Sequence, residues 1–550
     1  MNPRASRIDK MPDILLIQPP IRDFYLTAKR TIPYGLACIA SALIKSGFSV
    51  DILDALATAK SRILDLPEEM TYLNEFYGQP DQSPFRLFHH YRHFGYSFEY
   101  IGKKVRESGA FLIGISSLFT AYMLEAIKTA ESVKAYHPDC KIVLGGHHPT
   151  AIPHSVMDSP AVDFVLRGEG EVSMPLLAAA VLKECNYDSI PGLVYRQANG
   201  SIRSNFPAQM QHLEDYPLPA TDLIHQRFYQ RNHRTGMVIV ANRGCPLRCT
   251  YCSISARSYL RYRRRSVEAV IREIESTTDQ HAPGFIDFED ENLSLDRRWF
   301  LRLLCAIKDR FGEDRPELRA MNGLFPPALD EEVVRAMKAA GFRTLNLSLG
   351  STSKDQLTRF NRPDVRQAFD RALMLAEKYD LNTVGYVICG APFQSAEESI
   401  TDLLYLAHRR VLAAVSVFYP APDSPDYDLC EKLGVLPKAF SSMRSSALPL
   451  SHTTTRKEAV TLLRLARLLN FIKSLLDMGV PLPDPSPAKI RIENSNNRIE
   501  TGIQLLKTFL HNGKICGVTP EGKVFEHIIS ARLSRRFLCG LKSGGVRGSR

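Results

Sequence analysis

The 550-residue chain is as informative in what it lacks as in what it contains. It has no apolar run long enough to span a bilayer. The longest uncharged stretch, Ser108–Leu124, carries Gly114, Ser116, Ser117 and Thr120, and is better suited to a buried strand followed by a helix. The first twenty residues hold only the short apolar stretch Ile14–Ile17, too brief for a secretion signal, so a cytoplasmic location is expected. The eleven cysteines are odd in number and scattered, which argues against a disulfide framework and for a reducing compartment. No internal repeat is visible. There is no acidic excess either: the formal charge is +11, part of it in Arg261–Arg265 and the tail Arg532–Arg550. A solvated basic surface explains that charge better than a nucleic-acid partner.

What is present is a double series of alternating elements. Asp13–Gln18, Phe48–Leu53, Phe111–Ser116, Lys141–Leu144 and Val162–Leu166 are short apolar runs with helical stretches between them. They predict a doubly wound, Rossmann-like parallel sheet over residues 1–185, with ligands beyond the carboxyl ends of its strands. Residues 186–235, with Pro191, Pro207, Pro217 and Pro219, break the rhythm and are expected to be a linker. A second series over 236–430 has strands at Met237–Ala241, Phe285–Phe288, Leu318–Met321, Thr344–Ser348, Thr383–Cys389 and Ala414–Phe418. Six strand–helix units predict a partial (β/α)6 TIM-type barrel. Residues 431–550 form an extension, mostly helical. Thr455 to Glu458 signals a helix start, 484–500 are polar and loop-like, and the glycine-rich basic tail is expected to be disordered.

The chemistry concentrates where the first barrel strand ends, at Asn242-Arg-Gly-Cys-Pro-Leu-Arg-Cys-Thr-Tyr-Cys252. Eleven cysteines in 550 residues produce a C-x3-C-x2-C triplet by chance with a probability of roughly 0.4%. Structural zinc requires four closed ligands, and no fourth cysteine or histidine lies close by. Three thiolates on a 4Fe–4S cubane leave one iron open, as a cluster that must also bind a co-substrate requires. Cys245, Cys249 and Cys252 are therefore the candidate metal and catalytic residues.

This segment resembles the signature loop of the radical SAM superfamily. The resemblance implies that the open iron chelates S-adenosylmethionine and that its reductive cleavage yields a 5′-deoxyadenosyl radical. It places Gly244 and Pro246 in shaping the loop, Tyr251 near the adenine, and Glu289 or Asp290 on the methionine ammonium. Gly385 and Gly390, in Gly385-Tyr-Val-Ile-Cys-Gly390, would admit the adenine, with Cys389 a packed residue. Gly350 stands where the family has a glutamate, which leaves the ribose to Ser348 or Ser351. Arg362 is a candidate for the methionine carboxylate, and a surface arginine is the alternative reading.

The amino-terminal half resembles the cobalamin-binding domains fused to such barrels. The resemblance rests on Gln18-Pro-Pro20, Tyr34-Gly35-Leu36, Ser116-Ser-Leu118, Gly145-Gly146 and Gly168-Glu-Gly-Glu171. It implies that Ser116 or Ser117 binds the nucleotide tail of cobalamin and that Gly145 and Gly146 make room for it. Residues 18–36 contain no histidine to ligate cobalt; His147 and His148 are either near the corrin or satisfied within their loop. The implied cofactors are a [4Fe-4S] cluster, S-adenosylmethionine and cobalamin, and the implied partners a small-molecule substrate and a flavodoxin- or ferredoxin-type electron donor. Radical methyl transfer to an unactivated carbon leads. Oxidation, cyclisation or rearrangement without methyl transfer is the alternative. A tRNA methylthiotransferase and a non-catalytic corrinoid-binding protein follow.

Overall fold

The computed structural model describes residues 11–25, 32–88, 90–231, 233–256, 261–280, 283–487 and 497–550. Contacts divide the chain into two compact units. One comprises the chain up to Leu64, Tyr91–Ile239 and Arg263–Gly284; the other comprises Asp65–His90, Val240–Tyr262 and Phe285–Arg550.

The first unit is built on strands β1 (Ile14–Gln18), β2 (Val50–Asp54), β3 (Leu112–Ser116), β4 (Lys141–Gly145) and β5 (Phe164–Leu166), all parallel in the order β2-β1-β3-β4-β5. Alternation along β1 explains the two layers. Ile14 and Leu16 face a core with Leu36, Leu43 and Leu177, whereas Leu15 and Ile17 face Ile101, Ala130 and Val133. Helices α1 (Tyr34–Lys45) and α4 (Gly170–Lys183) cover the first face. Helices α2 (Phe98–Ser108) and α3 (Met123–Tyr136) cover the second. Each fully buried aliphatic side chain there contributes about 1.5–3 kcal/mol. The expected linker is in part sheet: β6 (Leu193–Arg196) and β7 (Ile202–Ser204) add two antiparallel strands beyond β5. Its prolines fall outside those two short strands, which is why the composition conceals them. Strand β8 (Arg234–Ile239) and helix α5 (Val267–Gln280) complete the described part of this unit.

The second unit carries the remaining barrel strands, β9 (Phe285–Phe288), β10 (Glu317–Arg319), β11 (Thr344–Gly350), β12 (Asn382–Cys389) and β13 (Leu412–Val417). Pairs β9–β10, β11–β12 and β12–β13 are parallel, and single bridges Leu318–Phe342 and Leu324–Leu347 connect the two groups. Helices α6 (Arg297–Phe311), α7 (Glu331–Ala340), α8 (Arg366–Lys378) and α9 (Ala396–Ala407) fall between them, as the alternating series predicts. Period-2 alternation sorts the strand residues. On β12, Thr383, Gly385, Val387 and Cys389 are buried, while Val384, Tyr386 and Ile388 are half-buried.

The extension contains α10 (Pro425–Lys432), α11 (Arg456–Asp477), α12 (Arg498–Asn512), the antiparallel pair β14 (Cys516–Val518) and β15 (Val524–Glu526), and α13 (Ala531–Gly544). Thr455 and Glu458 form the expected reciprocal cap on α11. Of the loop expected at 484–500, residues 488–496 lie outside the described residues. The tail expected to be disordered is ordered instead. Leu533, Phe537, Leu538 and Leu541 share the buried face of α13, and Ser530 caps it. The last residues are then held by Asp477, which accepts from Ser549 N at 2.8 Å and Arg550 N at 3.0 Å. Lys473, fully buried, donates to the carbonyls of Ala407, Arg409 and Arg547. Helical spacing of four apolar residues outweighed the glycine-rich, basic composition.

Asp65–His90 lies in the first expected domain by sequence, yet it packs within the second unit. Tyr72 donates to Ala447 O at 2.6 Å, Tyr77 to Ser446 O at 3.1 Å, and Phe85 meets Phe471 edge-on at 5.5 Å. Asp81, buried, contacts His527 Nε2 at 3.0 Å, and the same ring lies 3.2 Å from Arg464. Two charged groups out of water are tolerable because each has hydrogen-bonded partners.

Candidate functional sites in the two units

In the first unit the strand order reverses direction between β1 and β3, where doubly wound sheets bind ligands. A cleft opens there, lined by Gln18, Pro19, Leu56, Ser116, Ser117 and Tyr122 among others. The loops after β3 and β4 are stitched together. Ser117 N donates to Gly145 O at 2.7 Å, and His148 N donates to Ser117 O at 3.3 Å. The Ser117 hydroxyl is left over: it is buried and has no hydrogen-bond partner among the described residues. An orphaned buried hydroxyl beside a cleft is the signature of a group awaiting a ligand acceptor or donor, and it fits a polar cofactor tail. The two glycines differ in kind. A Cβ on Gly145 would meet nothing nearer than Leu166 O at 3.8 Å, so this position is open. Gly146 has φ +124° and a Cβ there would stand 2.5 Å from Ser117 O; its bareness serves loop-to-loop contact rather than room for a ligand. His148 is satisfied within its loop, with Nδ1 3.3 Å from Thr120 Oγ1 and Nε2 3.2 Å from Ser155 Oγ. Burial pulls its pKa down to about 4, which keeps it neutral. The Gly168-Glu-Gly-Glu171 motif is structural at Glu169, whose carboxylate takes a bidentate contact from Arg263 at 2.8 and 3.1 Å.

In the second unit the cysteine loop is braced from three sides. Asp290 accepts from Asn242 N at 2.6 Å and from Ala241 N at 3.1 Å, and Glu291 accepts from Gly244 N at 3.1 Å. Thr250 N donates to Phe360 O at 3.0 Å, Asn361 Nδ2 to Arg248 O at 2.8 Å, and Asp426 N to Thr250 O at 3.0 Å. Both oxygens of Asp290 therefore contact loop amides. This corrects the expectation that it receives the methionine ammonium: Asp290 is a loop brace. Burial pushes its pKa up to about 8, against the pull of the same amides. Glu289 is exposed on the same segment. Asp290→Ala would leave two amides without an acceptor, a loss of about 2–4 kcal/mol. The expected result is several-fold less iron per chain after reconstitution and a lower Tm, with Asp290→Asn intermediate.

Cys249 is buried and Cys245 and Cys252 half-buried; burial pushes the Cys245 thiol up. Among the described residues no three Cys, His, Asp or Glu side chains converge as one metal ion requires, and this holds for the cysteine loop. Its surroundings fit a larger inorganic group. Asn292 Nδ2 lies 3.9 Å from Cys245 Sγ and Arg362 Nη1 lies 3.9 Å from Cys249 Sγ. The side-chain amide of Asn242, the Asn292 carbonyl oxygen and Ser294 Oγ are buried with no hydrogen-bond partner among the described residues.

The remaining expected contacts divide. Tyr251 packs edge-on against Phe360 at 4.9 Å, and its hydroxyl accepts from Arg362 at 3.0 Å. Arg362 is 9% exposed, which removes the surface-arginine reading. Ser348, half-buried, accepts from Arg362 through both its carbonyl and its hydroxyl at 2.8 Å. Ser351 is fully buried and its hydroxyl donates to Asp402 at 2.9 Å, so it is spent on a structural carboxylate. Gly385 is corrected as well. A Cβ there would meet Leu406 at 2.8 Å and Phe369 at 3.0 Å, so this glycine faces the covering helices. Gly390, at the end of β12, has nothing within 3.9 Å of a Cβ and is the open one. Cys389 is packed, its thiol pushed up to about 12 by burial. Asn292, Glu291 and Asp402 carried no signal in the sequence beyond the acidic strand end.

Comparison with known proteins finds a family match in each of the two regions. The B12 binding domain family model matches residues 88–178, and the Radical SAM superfamily model matches residues 239–404. The chain carries a B12 binding domain and a radical SAM domain, and the cofactors of these domains are a [4Fe-4S] cluster, S-adenosylmethionine and cobalamin. It is 27% identical over 396 residues to an uncharacterised methyltransferase of Pyrococcus horikoshii, covering 71% of this chain and 76% of that one. It is 24% identical to the cytidylyl-2-hydroxyethylphosphonate methyltransferase of Streptomyces wedmorensis, covering 63% and 69%. Its fold is similar to that of the cobalamin-dependent S-adenosylmethionine radical enzyme OxsB with aqua-cobalamin and S-adenosylmethionine bound. The TM-score is 0.64 at 14% identity, covering 92% of this chain and 73% of that one.

Proposed function

We propose that this protein is a cobalamin-dependent radical SAM methyltransferase that methylates an unactivated carbon of a small molecule, in the cytoplasm, with a flavodoxin- or ferredoxin-type electron donor. The observation that carries the reading is the pairing, on one chain, of a braced three-cysteine loop with a switch-point cleft that holds the unpartnered Ser117 hydroxyl. The names of the curated relatives support methyl transfer. When bound, the cluster and S-adenosylmethionine supply one-electron hydrogen abstraction and the cobalamin supplies the methyl group.

The chain's own residues bind and orient. Cys245, Cys249 and Cys252 hold the cluster, and the Asp290 and Glu291 braces fix the loop before any ligand arrives. Gly390 admits the adenine at the end of β12, and Ser348 faces the same interior as Asn346 and Tyr386, which are themselves linked at 3.2 Å. Ser117 and Gly145 receive the cobalamin tail. The amino-terminal cysteines are poorly placed for the second cluster that a methylthiotransferase needs: Cys38 and Cys140 are buried, with Cys140 pushed up to about 11, and Cys185 is exposed.

The test is product analysis of anaerobically reconstituted protein loaded with reduced cobalamin. Formation of both S-adenosylhomocysteine and 5′-deoxyadenosine is expected. 5′-Deoxyadenosine without S-adenosylhomocysteine would instead point to oxidation or cyclisation.

A further inference from the structure

Gly350 departs from the family pattern, and the structure supplies what stands in its place. Strand β11 bulges between Ser348 and Gly350, and Gly350 sits at φ +84°. A Cβ there would lie 3.1 Å from both Cδ and Nε of Arg362. Backbone strain and the arginine together exclude a glutamate from this backbone. The room is filled by a guanidinium that arrives from the Asn361-Arg362-Pro363 turn.

That guanidinium is a buried cation with no carboxylate partner among the described residues. It contacts the Tyr251 hydroxyl, the Ser348 carbonyl and hydroxyl, the Phe325 ring at 6.0 Å and Cys249 Sγ at 3.9 Å. All are neutral except the sulfur, once it is a thiolate. Buried charges require a counter-charge, and before the carboxylate of S-adenosylmethionine arrives the neighbouring group that can carry one is the thiolate-bound cluster. Asn292 presents a second, neutral donor to Cys245 at 3.9 Å. Donors and positive charge beside cluster sulfurs stabilise the reduced, more negative state.

We propose that Arg362, assisted by Asn292, is a positioning residue that sets the reduction potential of the cluster, taking the space that Gly350 leaves open. The inference rests on the reading that Cys245, Cys249 and Cys252 hold the cluster. It concerns a one-electron couple, with the electron drawn from an external low-potential reductant.

The test is an EPR-monitored redox titration of full-length protein, reconstituted with iron and sulfide and free of S-adenosylmethionine. Arg362→Met should hold wild-type iron yet be about tenfold less reduced at a fixed potential, a shift of about 59 mV for one electron. Arg362→Lys, which keeps the charge, should recover most of the shift, and Asn292→Ala should move the potential the same way by less. Arg362→Met with full iron and an unchanged potential overturns the proposal. If Arg362→Met loses its iron, Asn292→Ala and Arg362→Lys decide: wild-type potential in Asn292→Ala, or a Lys variant as low as neutral variants, overturns it equally. Failure of the underlying reading looks different, because then the wild type itself shows no cluster signal.

Discussion

Replacing Cys245, Cys249 and Cys252 together by alanine is expected to leave a folded protein that holds no cluster and cleaves no S-adenosylmethionine. The loop does not depend on its thiols for shape. Five backbone amides, of Ala241, Asn242, Gly244, Thr250 and Asp426, tie it to Asp290, Glu291, Phe360 and the start of α10, and Asn361 clamps Arg248 O. Each such bond is worth about 1 kcal/mol net, and none is touched by the substitutions. Iron should fall from about four per chain to near zero, with the thiolate-to-iron absorbance gone and the far-ultraviolet circular dichroism unchanged. Loss of the fold, or iron retained in the triple variant, would contradict the assignment.

The second large effect is expected at Gly146, and it separates two adjacent glycines. Gly146→Ala places a Cβ 2.5 Å from Ser117 O at φ +124°. Strain and clash together cost about 2 kcal/mol or more, and relief requires the loops after β3 and β4 to part. Cobalamin retention should fall at least tenfold, because the unpartnered Ser117 hydroxyl moves with its loop. Gly145→Ala has open space and should leave the melting temperature as it was. Equilibrium dialysis against hydroxocobalamin, alongside thermal melts of both variants, reads the difference. The iron content of Gly146→Ala should remain that of the wild type, since Gly146 belongs to the other compact unit.

Much of this was legible before any coordinates. The strands of both series fall within a few residues of the expected positions, because short β-branched and aliphatic runs between glycine and proline punctuation leave few alternatives. What was misjudged turns on strand parity. Gly385 shares its side of β12 with Thr383, Val387 and Cys389, the face turned to the helices. The family motif suggested a ligand contact, but a count by twos from Tyr386 would have turned it away. Ser351 lies beyond the bulge at Gly350, where parity is lost, so no count could have found its bond to Asp402. Asp290 was identified as chemically special for a sound reason, an acid at a strand end. Only three-dimensional placement shows that its partners are amides of the neighbouring loop.

The segment Asp65–His90 escaped altogether, for a different reason: it has no periodicity of its own and completes itself with distant chain. Asp81 meets His527, 446 residues further on. During synthesis, Tyr72, Phe76, Tyr77 and Phe85 therefore leave the ribosome long before the residues that will cover them exist. A nascent chain must carry this aromatic segment exposed until residues 446–527 have been made, a burden that favours chaperone escort. For the same reason, a truncation between the two sequence halves would strand each with an uncovered surface, and the halves should prove far less soluble apart than joined.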